Sequence, residues 1–452
     1  MNDRTLEFES KPIGALLWQY ALPAIITQII ASIYNICDRV FLGQCVGALA
    51  IAGLTVTMPV MNIVHAFGSL VGAGAGARMS IVLGKKDIRW AENILGNTML
   101  LTFFFGFLFV SAWYIFNDTI LSMFGASAET ISYAKEYMNI VIPGMFFTTL
   151  SFNLSGLIRS SGYAQKSMWI MVFGAILNIC LDTLFIYVLD WGISGDAWAT
   201  TISMATSACL SISHFISKKS FIRFRRHCWS PKIYIFRNIL AIGISPFSMN
   251  VAGSAVVALL NNQLLFYGGD NAVAASGISN SFAPIVIMLV IGICQGMQPI
   301  AGYNYGAGKF SRLREIYLLA MKINVSVGFV GALLVLTVPR YLAMSFTKEP
   351  ELLDLCVPTM RFMLVMAPLI GFIITNSQFF QSIDKPWISI VVSLSRQVLI
   401  RTPMIYIVPP IFEGLGWNGL FGVFASCTIS DTLGACLAAY LLYTQRHILT
   451  RK

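Results

Sequence analysis

Long apolar stretches separated by short polar ones run through almost the whole chain. A membrane-spanning helix needs about 20 predominantly apolar residues, and twelve stretches meet that length. They are residues 14–42, 48–77, 92–116, 136–158, 167–189, 196–216, 238–267, 272–302, 315–338, 358–381, 386–411 and 416–444. The pattern therefore predicts an all-α polytopic membrane protein with twelve transmembrane helices.

The composition agrees with this interpretation. Of the 452 residues, 57% are hydrophobic and 11% are charged, against roughly 25% charged in soluble domains, and the mean hydropathy is +0.74. The first apolar run, which begins at Ile13, is too long for the core of a signal peptide, so we expect no cleavable one. The nine cysteines form no Cys-x-x-Cys pair and the four histidines share no ligand spacing, so neither a disulfide framework nor a metal site of that kind is indicated.

The charged residues are divided between the two sides of the predicted membrane. The formal net charge is +10, and Lys and Arg cluster in the connections after even-numbered spans. The other connections carry mainly acids, namely Asp118, Glu129, Asp190, Asp196, Asp270 and Glu413. The positive-inside rule places both termini in the cytoplasm. The excess charge therefore reflects topology, and we expect no nucleic-acid partner.

The chain divides into two similar halves. Its most basic connection, 217–237, separates residues 1–216 from 238–452 and is predicted to be a cytoplasmic linker. A shift of 224 residues aligns six identical pairs: Ala50 with Ala274, Gly53 with Gly277, Gly68 with Gly292, Gly72 with Gly296, Gly84 with Gly308, and Lys85 with Lys309. Because six spans is an even number, both halves keep the same orientation. We therefore expect two six-helix lobes related by a pseudo-two-fold axis along the membrane normal.

An amide and a carboxylate lie one helical turn apart inside the fifth span. These are Asn178 and Asp182. An ionisable side chain in a membrane span is costly, and it is by default a candidate for function. The alternative is that Asp182 lies near a helix end and is simply hydrated.

Other oxygen-bearing side chains are predicted at the same level. At 1.5 Å per residue, Asp38 lies about 30 Å from the start of the first span and Asp182 about 20 Å from the start of the fifth. Tyr34, one turn before Asp38, and Thr200, early in the sixth span, lie nearby. Together they would offer oxygen ligands to a proton or to Na⁺. For Asp38 a salt bridge or interfacial solvation beside Arg39 is the alternative.

The second half carries amides and arginines where the first carries acids, among them Gln397 and Arg401. Arg396 and Asp431 lie at similar depths in the last two spans, which predicts a structural charge pair, with substrate contact as the alternative. An adaptable substrate cavity would be lined by Asn261, Met288, Gln295, Met297 and Tyr303. A methionine and aromatic stripe is equally typical of core or of a lipid-facing surface.

Three stretches resemble the multidrug and toxic compound extrusion (MATE) transporters, in particular the bacterial DinF-like and MepA-like branches. They are Asn35–Gly43, Leu177–Tyr187 and the eighth-span stretch Gln295–Ala307. The resemblance implies two six-helix lobes around a central cavity and export of organic cations driven by inward H⁺ or Na⁺. The cation-coupling residues that it implies are Asp38, Asn178, Asp182 and Thr200, with Tyr34 beside them and Asn153 near. Arg39 departs from the small or polar residue usual after the first-span acid.

We therefore expect a monomeric antiporter of small-molecule drugs in the lipid bilayer, with no enzyme activity and no cofactor besides the coupling H⁺ or Na⁺. A rival function is a flippase for a lipid-linked sugar or anionic lipid, in which Arg396 and Arg401 would bind phosphate and face a cavity rather than Asp431. An integral-membrane transferase would need paired acids for Mg²⁺, and the chain has neither Asp-x-x-Asp nor Asp-Asp. An ATP-binding glycine loop is also absent from the sequence.

Overall fold

The computed structural model describes residues 3–45, 48–124, 130–218, 220–347 and 349–450, and within these ranges the chain forms helices and no strand. We number the long helices α1 to α12. The first six are α1 Ile13–Cys45, α2 Ala48–Gly84, α3 Ile88–Met123, α4 Thr130–Ser160, α5 Ala164–Val188 and α6 Gly192–Ile216. The other six are α7 Ile233–Asn280, α8 Ala283–Gly306, α9 Phe310–Thr337, α10 Pro350–Ser382, α11 Pro386–Gly414 and α12 Gly419–Thr444.

Ten stretches of the described chain are long and apolar enough to cross a membrane. One of them, Ile233–Gly306, holds both α7 and α8. Within it α7 is kinked at Gly269, where φ is 64° and glycine is favoured. With α7 and α8 counted separately and α6 added, the described helices account for the twelve predicted spans. The prediction of an all-α, twelve-helix fold is therefore confirmed.

The helices belong to two compact units. The first contains the amino-terminal segment to Lys11, Leu22–Phe247 and Gly302–Gly308. The second contains Pro12–Ala21, Ser248–Ala301 and the chain from Lys309 onward. The predicted linker, residues 217–237, lies within the first unit. The division into domains 1–216 and 238–452 stays a prediction.

Glycines let helices of the first unit approach closely. A Cβ at Gly84 of α2 would lie 2.1 Å from the carbonyl oxygen of Tyr303, and a Cβ at Gly306 of α8 would lie 2.0 Å from that of Ile81. No larger residue fits at either position without a backbone shift. Membrane helices use small residues in this way, because lipid provides no hydrophobic drive for their association.

One serine–serine contact between helices of the first half has a counterpart in the second half. Ser155 of α4 and Ser167 of α5 lie 2.6 Å apart through their hydroxyls. Ser377 of α10 and Ser389 of α11, each 222 residues later, lie 3.0 Å apart. The same spacing relates Gly162 and Asp384, which occupy the turns between these helices with φ of 96° and 60°. The structure thus repeats local detail of the kind expected from a duplicated chain.

A buried amide–hydroxyl pair also occurs in both halves, with its members exchanged. Asn153 Nδ2 of α4 donates to Thr102 Oγ1 of α3 at 2.9 Å. At positions 222 residues later, Asn324 Nδ2 of α9 donates to Thr375 Oγ1 of α10 at 2.7 Å. The amide lies on the fourth helix in the first half and on the ninth in the second. The hydrogen bond is therefore present in both halves, although asparagine and threonine have exchanged positions.

Candidate cation site

Three carboxylates from three helices of the first unit meet at one place. Asp38 of α1, Asp182 of α5 and Asp196 of α6 each direct an oxygen to a common point, with these oxygens all within 4.8 Å of one another. Asp182 is 0% and Asp196 1% exposed, and Asp38 is partly buried. The cluster is buried enough to require compensation of its charge.

The hairpin between α5 and α6 places two of these acids opposite each other. After Asp182 the helix continues as a π-helix, Thr183–Val188, and α6 begins at Gly192. Asp190 and Gly192 turn the chain with φ of 54° and 57°. Since Asp182 lies six residues before the end of α5 and Asp196 four residues after the start of α6, both carboxylates are a short distance from the same turn. Single π-helical turns are frequent at functional sites.

The site has more oxygen acceptors than donors. Asn178 Nδ2 of α5 donates to Thr200 Oγ1 of α6 at 3.3 Å. The remaining oxygen of Asn178, both oxygens of Asp182 and one oxygen of Asp196 are buried and have no hydrogen-bond partner in the described chain. A proton or a hard cation such as Na⁺ is the group that such oxygens would bind.

A cavity of about 80 Å³ adjoins the carboxylates. Its lining combines acids, polar rings and methionines: Tyr34, Asp38, His65, Tyr137, Asp196, Thr200, Met58, Met61, Met145 and Met204. Four unbranched thioether side chains make an apolar wall that can adapt to different shapes. The cavity lining therefore combines negative charge with deformable apolar surface.

Repulsion between the carboxylates makes the site sensitive to cations. Two unit charges no more than 4.8 Å apart repel by at least about 3.5 kcal/mol at an effective dielectric constant of about 20. Tyr137 of α4 also interacts electrostatically with Asp196, Asp38 and Asp182. Among the described lining residues, His65 is the one side chain that can carry a positive charge. The side chain of Arg39, raised above as a neighbour of Asp38, lies outside the described part of the structure.

Other predicted site residues lie elsewhere. Asn153 is held by Thr102, as described above, and its Oδ1 occupies the space beside Gly72. Met297 and Tyr303 are both fully buried, and the Tyr303 hydroxyl donates to Glu9 Oε1 at 2.8 Å. As far as the described lining shows, the predicted cavity residues Asn261, Met288, Gln295, Met297 and Tyr303 do not line the cavity beside the carboxylates.

In the second unit a single carboxylate contacts two arginines. Asp431 Oδ1 of α12 lies 3.1 Å from Arg396 Nε and 2.8 Å from Arg401 Nη2, both of α11. Asp431 is 1% exposed. A Cβ at Gly434 would lie 2.9 Å from the Cβ of Arg396, so this glycine leaves room for the arginine. Three charges in this cluster leave one net positive charge.

Asp196 is the member of the carboxylate cluster that the sequence interpretation does not include in the site. In the sequence it counts among the acids of the connection between the fifth and sixth spans, because its position matches the other acids on that side. Its depth provided the available signal, since it is as close to the α5–α6 turn as Asp182 is. Tyr137 and His65 carry no such signal, because their contacts depend on how α2 and α4 pack.

The fold and the buried carboxylates are those of a membrane transporter, and comparison with known proteins specifies the family. The MatE family model matches residues 23–184 and 242–407, and the chain belongs to that family of transporters.

Curated relatives and solved structures cover the whole chain. It is 26% identical over 454 residues to the multidrug export protein MepA of Staphylococcus aureus, with 100% of this chain and 98% of the relative covered. It is 26% identical over 452 residues to MepA of Staphylococcus haemolyticus, with 99% and 97% covered.

A crystal structure of MATE in the bent conformation matches with a TM-score of 0.91 and 22% identity, covering 100% of this chain and 98% of the other. A MOP superfamily transporter from Pyrococcus furiosus matches with a TM-score of 0.89 and 23% identity, covering 99% of each chain. These two similarities establish the fold.

Proposed function

We propose that this protein exports amphipathic, mostly cationic organic compounds across the bacterial inner membrane, by antiport against H⁺ or Na⁺. The observation that carries the proposal is the buried cluster of Asp38, Asp182 and Asp196 beside a methionine-lined cavity. Membership of the MatE family and the multidrug export activity named for the MepA relatives support it.

The cluster suggests how exchange would be coupled. The ionised carboxylates attract an organic cation in the cavity and so increase its affinity. A proton or Na⁺ bound to the same oxygens neutralises them and removes that attraction. The two cations therefore compete for one set of charges. A ligand shifts a conformational equilibrium by its difference in affinity for the two states, so either cation would drive the change if it binds the inward- and outward-open states unequally.

The rival function, movement of an anionic or sugar-linked lipid, needs basic side chains available to phosphate. Arg396 and Arg401 instead both contact Asp431, which favours a structural role for this cluster. One net positive charge remains there, so the rival is kept as an outcome of the test.

The test is ethidium efflux from proteoliposomes with an imposed H⁺ or Na⁺ gradient. We expect the wild type to follow one of the gradients. Asp182→Asn and Asp196→Asn should each abolish coupled efflux, because either change removes a charge from the shared site. Asp190→Asn is the matched control, since Asp190 is exposed and Asn tolerates its positive φ; it should transport like the wild type.

The double variant Asp182→Asn with Asp196→Asn provides a second readout. Residues that act as one unit are not additive, so it should lose no more activity than either single change. Full coupled transport by both single variants would exclude this site. If the wild type ignores ethidium and both gradients but scrambles a labelled anionic lipid, the flippase replaces the antiporter.

A further inference from the structure

The central linker is docked on the beginning of α3. Asn97 of α3 holds two linker backbone groups: its Nδ2 donates to Ser230 O at 3.3 Å, and its Oδ1 accepts from Lys232 N at 2.9 Å. A Cβ at Gly96 would lie 2.1 Å from Cys228 O, so this glycine permits the close approach. The docking brings linker side chains against the first turns of α3.

Three donors of different chemistry meet at this contact. Glu92 of α3 faces His227 and Cys228 of the 3₁₀ turn Arg226–Trp229, and one ligand atom from each lies within 4.8 Å of the other two. Glu92 is 2% and Cys228 0% exposed, whereas the His227 side chain is 30% exposed. A carboxylate, an imidazole and a thiol are the ligand types that Zn²⁺ takes in proteins.

The spacing of two of these atoms is compatible with a shared metal ion. Glu92 Oε2 lies 3.3 Å from His227 Nε2, and Nε2 has no hydrogen-bond partner in the described chain. Ligand oxygen and nitrogen at about 2.0–2.2 Å from a tetrahedral Zn²⁺ lie about 3.3 Å apart. The two atoms thus already have the separation that a common zinc ion requires.

Arg225 orients two of the donors from outside the cluster. Its Nε contacts the other Glu92 oxygen, Oε1, at 3.0 Å, which leaves Oε2 for a metal. Its backbone N–H donates to Cys228 Sγ at 3.4 Å. Outer partners of this kind fix the direction of metal ligands.

Three features oppose metal binding. The Cys228 thiol already donates a hydrogen bond to the carbonyl oxygen of Arg223 at 3.7 Å. The positive charges of Arg225 and Lys232 lie near the Cys228 thiol. Burial also raises the pKa of that thiol, so a metal must displace its proton. The Glu92 carboxylate and the Cys228 thiolate would together supply two negative charges, which offset the positive charges of Arg225 and Lys232.

We propose that Glu92, His227 and Cys228 form a Zn²⁺ site that fastens the central linker to α3, with a fourth coordination position open to water. The proposal does not depend on the substrate or coupling ion of transport. The alternative, an ion-pair contact of Glu92 with Arg225 and His227 that binds no metal, is an outcome of the test.

The experiment uses the full chain purified in detergent, stripped with a chelator and then incubated with Zn²⁺ or Co²⁺. After gel filtration we expect the wild type to retain about one Zn²⁺ per chain, measured by elemental analysis. Co²⁺ should produce a thiolate charge-transfer band. Cys228→Ser should abolish the band, and Cys209→Ser, which alters an exposed cysteine of α6, should leave it intact.

His227→Gln separates binding from folding, because the imidazole is partly exposed and its replacement removes no core contact. It should weaken Zn²⁺ affinity by at least the roughly 10- to 100-fold that loss of an outer-shell partner costs in other sites, in a protein that elutes at the wild-type volume. The proposal is overturned if the wild type retains no Zn²⁺. Equal retention by Cys228→Ser and Cys209→Ser, or unchanged affinity in His227→Gln, would overturn it too.

Discussion

At the scale of single residues, Asp431 neutralises more charge than the sequence predicts, because it contacts two arginines instead of one. It balances Arg396 and Arg401 in the interior of the second unit. Removing one partner of a buried ion pair costs about 3–5 kcal/mol, because it leaves an uncompensated charge. The consequences of substitution therefore depend on which charge is removed.

We predict that Asp431→Asn destabilises the protein far more than Arg401→Gln. The first change leaves two buried guanidinium groups without an anion, and the second leaves the neutral pair of Arg396 with Asp431. Thermal unfolding in detergent, followed by tryptophan fluorescence, should give a markedly lower Tm for Asp431→Asn. Equal Tm values would show that Arg401 is as necessary as the carboxylate.

Some residues of the candidate site could be predicted from the sequence and others could not. Asp38 and Asp182 are recognisable because a carboxylate in an apolar run is costly wherever the helix lies. Asp196 lies so near a helix end that hydropathy does not separate it from a loop acid, and its short distance from the α5–α6 turn, similar to that of Asp182, is the one signal that indicates the site. The contact of Arg401 with Asp431 could not be predicted for another reason, because depth along a helix does not show on which face a side chain lies.

At the scale of helices, the exchanged pairs Thr102 with Asn153 and Asn324 with Thr375 show that the contact matters more than its residues. We predict that Asn153→Thr destabilises the first unit by about 0.6 kcal/mol, the average for interhelical hydrogen bonds measured in a membrane protein, and by no more than the largest such value, about 1.7 kcal/mol. Combining it with Thr102→Asn should restore stability, because the double variant reproduces the arrangement of the second half. A double-mutant cycle of unfolding free energies is the measurement, and simple additivity of the two losses would contradict the prediction.

Helix existence was predictable here and helix contacts were not. Each span follows from about 20 apolar residues, and α3, for example, extends at Ile88–Met123 beyond the predicted 92–116. The boundary between the seventh and eighth helices was predicted less well, because α7 continues to Asn280 and α8 begins at Ala283. The docking of the linker on α3 joins Asn97 to Ser230 and Lys232. Such a long-range contact leaves no periodic trace in the sequence.

At the scale of the whole molecule, orientation decides from which side the coupling cation reaches its site. The carboxylates lie close to the α5–α6 turn, since Asp182 is six residues from the end of α5, about 9 Å at 1.5 Å per residue. The α11–α12 connection, near Glu413, is predicted on the same side of the membrane. If this side is external, H⁺ or Na⁺ enters the site from the outer solution, as inward-driven antiport requires.

We therefore predict that a membrane-impermeant maleimide labels Glu413→Cys in intact cells and labels Lys385→Cys only after permeabilisation. Glu413 is exposed at the end of α11 and Lys385 lies in the turn before it, on the side that the basic connections assign to the cytoplasm. The wild type measures the background from native cysteines. The reverse labelling pattern would place the carboxylates near the cytoplasm, where an inward gradient releases cations instead of supplying them, and the coupling mechanism would then have to be reversed.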